Sequence, residues 1–179
     1  MKSLIESVRG NEKVNIMVGR FQPITNGHLK CINEIRKKTG RPVILCMINT
    51  PANKLDEKHP FPSDFLIDYY KDLPVKEVVL VKNADIVKIS QELKGYQISG
   101  WVCGSDRIDS YRKMASKYAK EANLADDFEM IEIPRTEDDE SASKLRNMIL
   151  YNDYKGFLKM SPIKTYYAKL RTYMLALIH

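Results

Sequence analysis

Segments with the pattern of buried strands alternate with segments of helical spacing through most of this chain, and that order constrains its fold more than any other feature. Val14-Asn15-Ile16-Met17-Val18 is mostly apolar, as a central strand requires. From Leu29 the spacing turns helical, with Leu29, Ile32 and Ile35 recurring at three and Cys31 pairing with Ile35 at four. That period argues against a hairpin turn at Asn26-Gly27, which alternation would follow. Pro42 to Ile48, Val78 to Val81, Ile98 to Cys103 and Phe128 to Ile133 predict four further strands. Between them lie a helix capped by Ser63 with Phe65, Leu66, Tyr69, Tyr70 and Leu73 on one face, a short helix with Ile86, Ile89 and Leu93, and a longer one from Ile108 to Ala122. Ser141 opens another helix, and the rest of the chain reads as helical. The expectation is an α/β fold, a Rossmann-like parallel sheet of about five strands with helices on both faces and C-terminal helices added. We expect one α/β domain over residues 1–160. A helix over 161–179, striped with Ile163, Tyr167, Leu170, Met174 and Ile178, would pack on that domain or on a neighbouring subunit of a homo-oligomer.

In such sheets ligands bind beyond the carboxyl ends of the strands. The loops richest in chemistry fall there. After the first strand comes Gly19-Arg20-Phe21-Gln22-Pro23-Ile24-Thr25-Asn26-Gly27-His28. The glycines Gly19 and Gly27 let backbone approach a phosphate, Arg20 offers a planar fork, and His28 sits in the first turn of a helix. A helix start is an anion site, because its first N–H groups lack partners and its dipole end is positive. Thr25 is either an N-cap or a donor to the ligand. The long loop after the second strand carries Lys54 and Lys58, which can reach a substrate phosphate or stay solvated. After the fourth strand, Gly104-Ser105-Asp106-Arg107 offers Asp106 to a ribose or a metal-bound water and Arg107 to a phosphate. The bland alternative there is an N-cap Asp106 beside a surface arginine. Ser141, Ser143, Lys144 and Arg146 cluster at the next helix start, where cations cost about 0.3–1 kcal/mol each unless an anion reverses the sign. Trp101, in a strand, reads as core rather than as a stacking platform.

Neither GxGxxG nor GxxxxGK[ST] is present, which removes dinucleotide-dependent hydride transfer and P-loop hydrolysis. The 29 basic and 23 acidic residues give a formal charge of +6, which suits an anionic ligand. Arg36-Lys37-Lys38 with Arg41 reads as a solvated helix face, so nucleic acid is not an expected partner. Cys31, Cys46 and Cys103 show no zinc spacing and read as free thiols of a reducing compartment; no metal site built by the protein is expected. The first residues lack the apolar core of a signal peptide, and no apolar run approaches the ~20 residues of a membrane span. A cytoplasmic protein without membrane contact is expected.

Gly19-Arg20-Phe21-Gln22-Pro23 followed by Thr25-Asn26-Gly27-His28 resembles the (H/T)xGH motif of the nucleotidylyltransferase superfamily. Ser141-Ala142-Ser143-Lys144-Leu145-Arg146 resembles its ISSTxxR-type signature. Within the superfamily the chain is most similar to archaeal-type nicotinamide mononucleotide (NMN) adenylyltransferases, through the GRFQP start, His59-Pro60-Phe61-Pro62 and the closing segments Asp153 to Phe157 and Ser161-Pro162. The stretch from Pro23 to Leu29 is also similar to phosphopantetheine adenylyltransferases. Arg135-Thr136-Glu137 resembles a segment of glycerol-3-phosphate cytidylyltransferases. Thr25 stands where the archaeal enzymes carry a histidine, Glu140 where an isoleucine is usual, and Ala142 where a serine or glycine is usual.

The resemblance implies transfer of AMP from ATP to a phosphate-bearing acceptor, NMN first, with release of pyrophosphate. It implies catalytic roles for His28, Thr25, Arg146 and Arg20. Nucleotide contacts would come from Gly19, Phe21, Gln22, Gly27, Gly104, Asp106, Arg107, Ser141, Ser143 and Lys144, and acceptor contacts from Lys54 and Lys58. Mg²⁺ would be held mainly by substrate phosphates. Phosphopantetheine adenylyl transfer and cytidylyl transfer from CTP are alternatives, and a nucleotide sensor that has lost catalysis is another.

Overall fold

The computed structural model describes residues 12–133 and 141–178. Five strands, β1 (Glu12–Gly19), β2 (Val43–Ile48), β3 (Glu77–Val81), β4 (Tyr96–Gly104) and β5 (Leu124–Ile133), form one sheet in the order β3-β2-β1-β4-β5. Every neighbouring pair is parallel. The helices are α1 (Asn26–Thr39), α2 (Ser63–Tyr70), α3 (Ile86–Glu92), α4 (Ile108–Tyr118), α5 (Ser141–Leu150), α6 (Tyr154–Met160) and α7 (Tyr167–Ala176). The chain is therefore the Rossmann-like α/β protein its alternating pattern predicts.

The period-two alternation of strand side chains sorts the apolar residues onto two faces. Met17, Val43, Leu45, Met47 and Val102 meet α1, α2 and the C-terminal helices, through Ile32, Leu66, Tyr70, Leu145, Phe157, Leu170 and Met174. Val14, Ile16, Ile44, Cys46 and Trp101 meet α3 and α4 on the other face. Phe157 and Leu170 are fully buried, each worth about 1.5–3 kcal/mol of burial, so α6 and α7 share the core of the sheet they cover. Ile178, the last member of the predicted stripe, is exposed.

Three details differ from expectation. Ser63 does not cap α2: Pro62 holds the cap position, and the Ser63 hydroxyl accepts the Thr50 N–H at 2.6 Å, tying the helix to the loop after β2. The C-terminal stretch, expected as helices, is divided into α5, α6 and α7 by two breaks that the spacing did not locate. Asn152 adopts a left-handed φ of 58°, Asp153 caps α6 through the Gly156 N–H, and Pro162 forces Ser161 into an extended conformation. β5 begins at Leu124, not Phe128. Leu124 pairs with Ile98, the register then shifts, and regular pairing resumes at Glu129 opposite Gly100. The intervening Asp126 and Asp127 are exposed on an edge strand, so a pattern of buried residues cannot reveal them.

After β1, β2 and β3 fill one side of the sheet, and the chain then returns to place β4 on the other side of β1. The carboxyl ends of β1 and β4 therefore flank the switch point, where open α/β sheets form their ligand crevice.

Candidate functional site

The loop leaving β1 is buried, so its backbone polar groups need partners. Side chains supply them. The Gln22 amide donates to the Phe61 carbonyl at 2.8 Å and accepts the Phe61 N–H at 3.0 Å. The Tyr70 hydroxyl donates to the Phe21 carbonyl at 2.7 Å and accepts the Ile24 N–H at 2.9 Å. Burial pushes that phenol well above its ordinary value, so it keeps its proton. Arg146, reaching over from α5, donates to the Gln22 carbonyl at 2.7 Å. Phe21 has a left-handed φ of 51°, and the Gln22–Pro23 bond is cis. A Cβ on Gly19 would come within 3.2 Å of the Phe21 ring, a tight contact. That ring also meets the His28 ring edge-on, with centroids 5.2 Å apart.

Thr25 caps α1, and its partner in a capping box is His28 rather than the usual Glu or Gln. The Thr25 hydroxyl accepts the His28 N–H at 3.2 Å, and His28 Nδ1 accepts the Thr25 N–H at 3.1 Å. An Nδ1 that accepts from a backbone N–H carries no proton of its own, so the neutral ring holds its proton on Nε2. Thr25 is buried, and its part is to fix the tautomer and angle of His28.

His28 lines a cavity of about 270 Å³ at the switch point. β1 and its exit loop contribute Gly19, Arg20 and Phe21; α1 contributes Gly27, His28 and Cys31; β4 and its exit contribute Cys103, Gly104 and Asp106. Burial raises the Cys103 thiol above its ordinary value, with Glu132 and Asp106 adding to the effect, so it is a neutral wall. Arg20 also lines a second, larger space of about 720 Å³ beyond β2 and β3, and among the described residues it is the one common to both. Its guanidinium donates to the Thr50 hydroxyl at 3.2 Å and the Asn49 carbonyl at 3.4 Å. This second bay also holds Lys54, Asp56, His59 and Lys82. Another space of about 660 Å³, between α4 and β5, gathers none of the residues singled out from the sequence.

The structure thus brings Gly19, Arg20, Phe21, Gly27, His28, Gly104 and Asp106 around one cavity, with Lys54 in the bay beside it. Others sit elsewhere. Gln22 is buried behind the loop with both ends of its amide spent on Phe61, so it holds the wall and does not face the cavity. Thr25 stands behind His28. Lys58 and Arg107 are exposed and line neither space. Arg107, not Asp106, occupies the cap position of α4 and makes no side-chain cap bond. Ser143 and Lys144 are exposed on α5. The Ser141 side chain, like Arg135 to Glu140, lies outside the described residues. Burial lowers the pKa of Arg146, and the Asp56 carboxylate opposes that shift. Trp101 is fully buried and stacks on Tyr111 at 4.2 Å.

Sequence reading missed His59 and Lys82 as lining residues. His59 stands two residues before the buried Phe61, and Lys82 directly follows β3; the rule that ligands gather past strand ends was the signal available for the second. Among the described residues no group of His, Cys, Asp and Glu could hold a metal ion, and no helix is long and apolar enough to cross a membrane.

The parallel sheet thus brings a helix start, an arginine and a fixed histidine to the crevice between β1 and β4. The cytidylyltransferase-like family model matches residues 16–149, and the chain belongs to that family. No curated protein matches the sequence. Among solved structures, the chain is similar to Plasmodium falciparum nicotinic acid mononucleotide adenylyltransferase complexed with NaAD, at 16% identity and a TM-score of 0.54, over 90% of this chain and 97% of that one. It is also similar to Thermotoga maritima TmcAL bound with alpha-thio ATP, at 12% identity and a TM-score of 0.55, over 93% of this chain and 56% of that one. At these identities the likeness is one of fold.

Proposed function

We propose that the protein transfers AMP from ATP to the phosphate of a small acceptor and releases pyrophosphate. The observation that carries this reading is the His28 ring, fixed by Thr25 with its proton on Nε2, in the wall of the switch-point cavity. An acceptor phosphate oxygen attacks the α-phosphorus in line; the new P–O bond forms as the bond to the β-phosphate bridging oxygen breaks, and pyrophosphate departs with that electron pair. An ionised phosphate is already nucleophilic, so positioning and charge stabilisation do the catalysis. His28 donates from Nε2 to the α-phosphate. Arg20, which lines both the cavity and the bay, is within reach of a phosphate in either. Arg146 and Ser143 hold the β- and γ-phosphates; a guanidinium has further N–H donors beside the one given to Gln22. Asp106 is the only carboxylate among the described cavity-lining residues, which fits Mg²⁺ carried in by the triphosphate rather than caged by protein. Once bound, that ion would offset charge on the phosphate oxygens.

Resemblance ranks NMN first among acceptors, with phosphopantetheine next and cytidylyl transfer from CTP as the variant chemistry. The test is pyrophosphate release with ATP and CTP crossed against NMN, nicotinate mononucleotide, phosphopantetheine and glycerol-3-phosphate. Release that requires both an NTP and an acceptor is the expected result. One observation favours a second reading, a nucleotide sensor: Arg146 lines neither space and is docked on Gln22. A sensor would bind ATP and release no pyrophosphate with any acceptor.

A further inference from the structure

The bay beyond β2 and β3 has a charge and hydrogen-bonding pattern that discriminates between kinds of acceptor. Among the described residues its lining sets three cations, Arg20, Lys54 and Lys82, against one carboxylate, Asp56. That carboxylate is already committed. It accepts the backbone N–H groups of Lys58 at 2.9 Å and His59 at 2.7 Å, and it lies 3.2 Å from His59 Nδ1. The bond from the His59 backbone N–H is the main cause that holds Asp56 below the usual carboxylate range. An Nδ1 facing a carboxylate carries the ring proton, so in the neutral ring Nε2 is an acceptor. Thr50 and Asn49 add a hydroxyl and an amide, and the apolar lining is Pro51, Leu80 and Val81, with no Phe, Tyr or Trp among the described lining residues.

We propose that this bay selects a hydroxylated phosphate monoester that bears no positive charge: its phosphate on Arg20, Lys54 and Lys82, a hydroxyl donating to His59 Nε2. The proposal rests on the reading that an acceptor phosphate is the nucleophile, and it reorders the acceptors that resemblance nominates. A phosphate dianion matches the excess of cations. A pyridinium or quaternary ammonium on the same small molecule would be repelled by three cations, and the described lining residues offer no aromatic ring to receive it.

Matched pairs test this. Glycerol-3-phosphate against phosphocholine exchanges hydroxyls for a quaternary ammonium; nicotinate mononucleotide against NMN keeps the pyridinium and the ribose hydroxyls and changes net charge by one carboxylate. Acceptor kcat/KM should favour the member with the more negative charge at least tenfold in low salt, and the ratio should narrow as salt screens the exposed lysines. Lys82→Gln should shrink the ratio and raise the KM of glycerol-3-phosphate without moving the KM of the NTP, and His59→Gln should raise acceptor KM alone. Equal use of both members of a pair, or preference for phosphocholine or NMN, overturns the proposal. So does a Lys82→Gln protein that folds and keeps the wild-type ratio. Calorimetric binding of the same pairs without nucleotide separates the two levels. Charge preference in binding with no pyrophosphate release supports the bay and refutes the transfer reading; release without charge preference does the reverse.

Discussion

The two walls around Arg20 are built in opposite ways. On the β1 side nearly every polar group is pinned: Gln22 on Phe61, Tyr70 on Phe21 and Ile24, Thr25 and His28 on each other, Arg146 on Gln22. On the bay side, Asn49, Thr50 and the Asp56–His59 turn are held, but the cations Lys54 and Lys82 are exposed. The contrast fits the proposed division of labour. Charge stabilisation at a reacting phosphorus needs donors held in place before the reaction. Long exposed cations tolerate several acceptor shapes, and they choose by charge more than by outline.

The largest effect should come from the pinned wall. His28→Ala should lower the rate of pyrophosphate release by about 10²–10³, the usual effect of losing one transition-state donor, with an unchanged circular dichroism spectrum. Next, Gln22→Ala strands the buried Phe61 N–H and C=O, at about 1–3 kcal/mol for each group, and should shift the denaturation midpoint clearly. Lys58→Ala, on the exposed loop, should stay within about 0.5 kcal/mol of the parent. Equal midpoints for these two variants would erase the contrast between the walls. Thr25→Ala should cost about 0.5–2 kcal/mol as a lost N-cap, and it should slow turnover less than His28→Ala because the Thr25 backbone N–H still reaches Nδ1.

The smallest effect concerns pH. A carboxylate with a lowered pKa contributes above its unfolded value and loses that contribution as pH falls through the lowered one. The exposed Asp56 turn should therefore persist at neutral pH and let go only below the usual carboxylate range. The His59 ring resonances in NMR should report this, and Asp56→Asn should abolish the acid transition.

Much of this was legible in the sequence because burial writes periodic patterns. The β1 and β2 runs and the α1 spacing follow directly from the two faces of a covered sheet, and the loops past strand ends follow from topology. What escaped depends on contacts between distant residues. Nothing near Gln22 shows that its amide will meet Phe61, 39 positions on, or that Arg146 will reach its carbonyl from 124 positions away. Ser63 stands at a helix start, where sequence suggests a cap, yet it is the first residue of the helix and its hydroxyl is taken by the Thr50 N–H. His59 and Lys82 come together because β2 and β3 are neighbours, and strand order is not written in either segment.

The central claim is that the cavity between β1 and β4 receives the nucleotide with His28 on its α-phosphate. A crystal structure with a non-hydrolysable ATP analogue tests it most directly. Nucleotidyl transfer at this site predicts an α-phosphate oxygen about 2.7–3.2 Å from His28 Nε2, with Nδ1 still held by Thr25. A nucleotide bound elsewhere on the fold, or one in this cavity whose α-phosphate leaves His28 without contact, would contradict it.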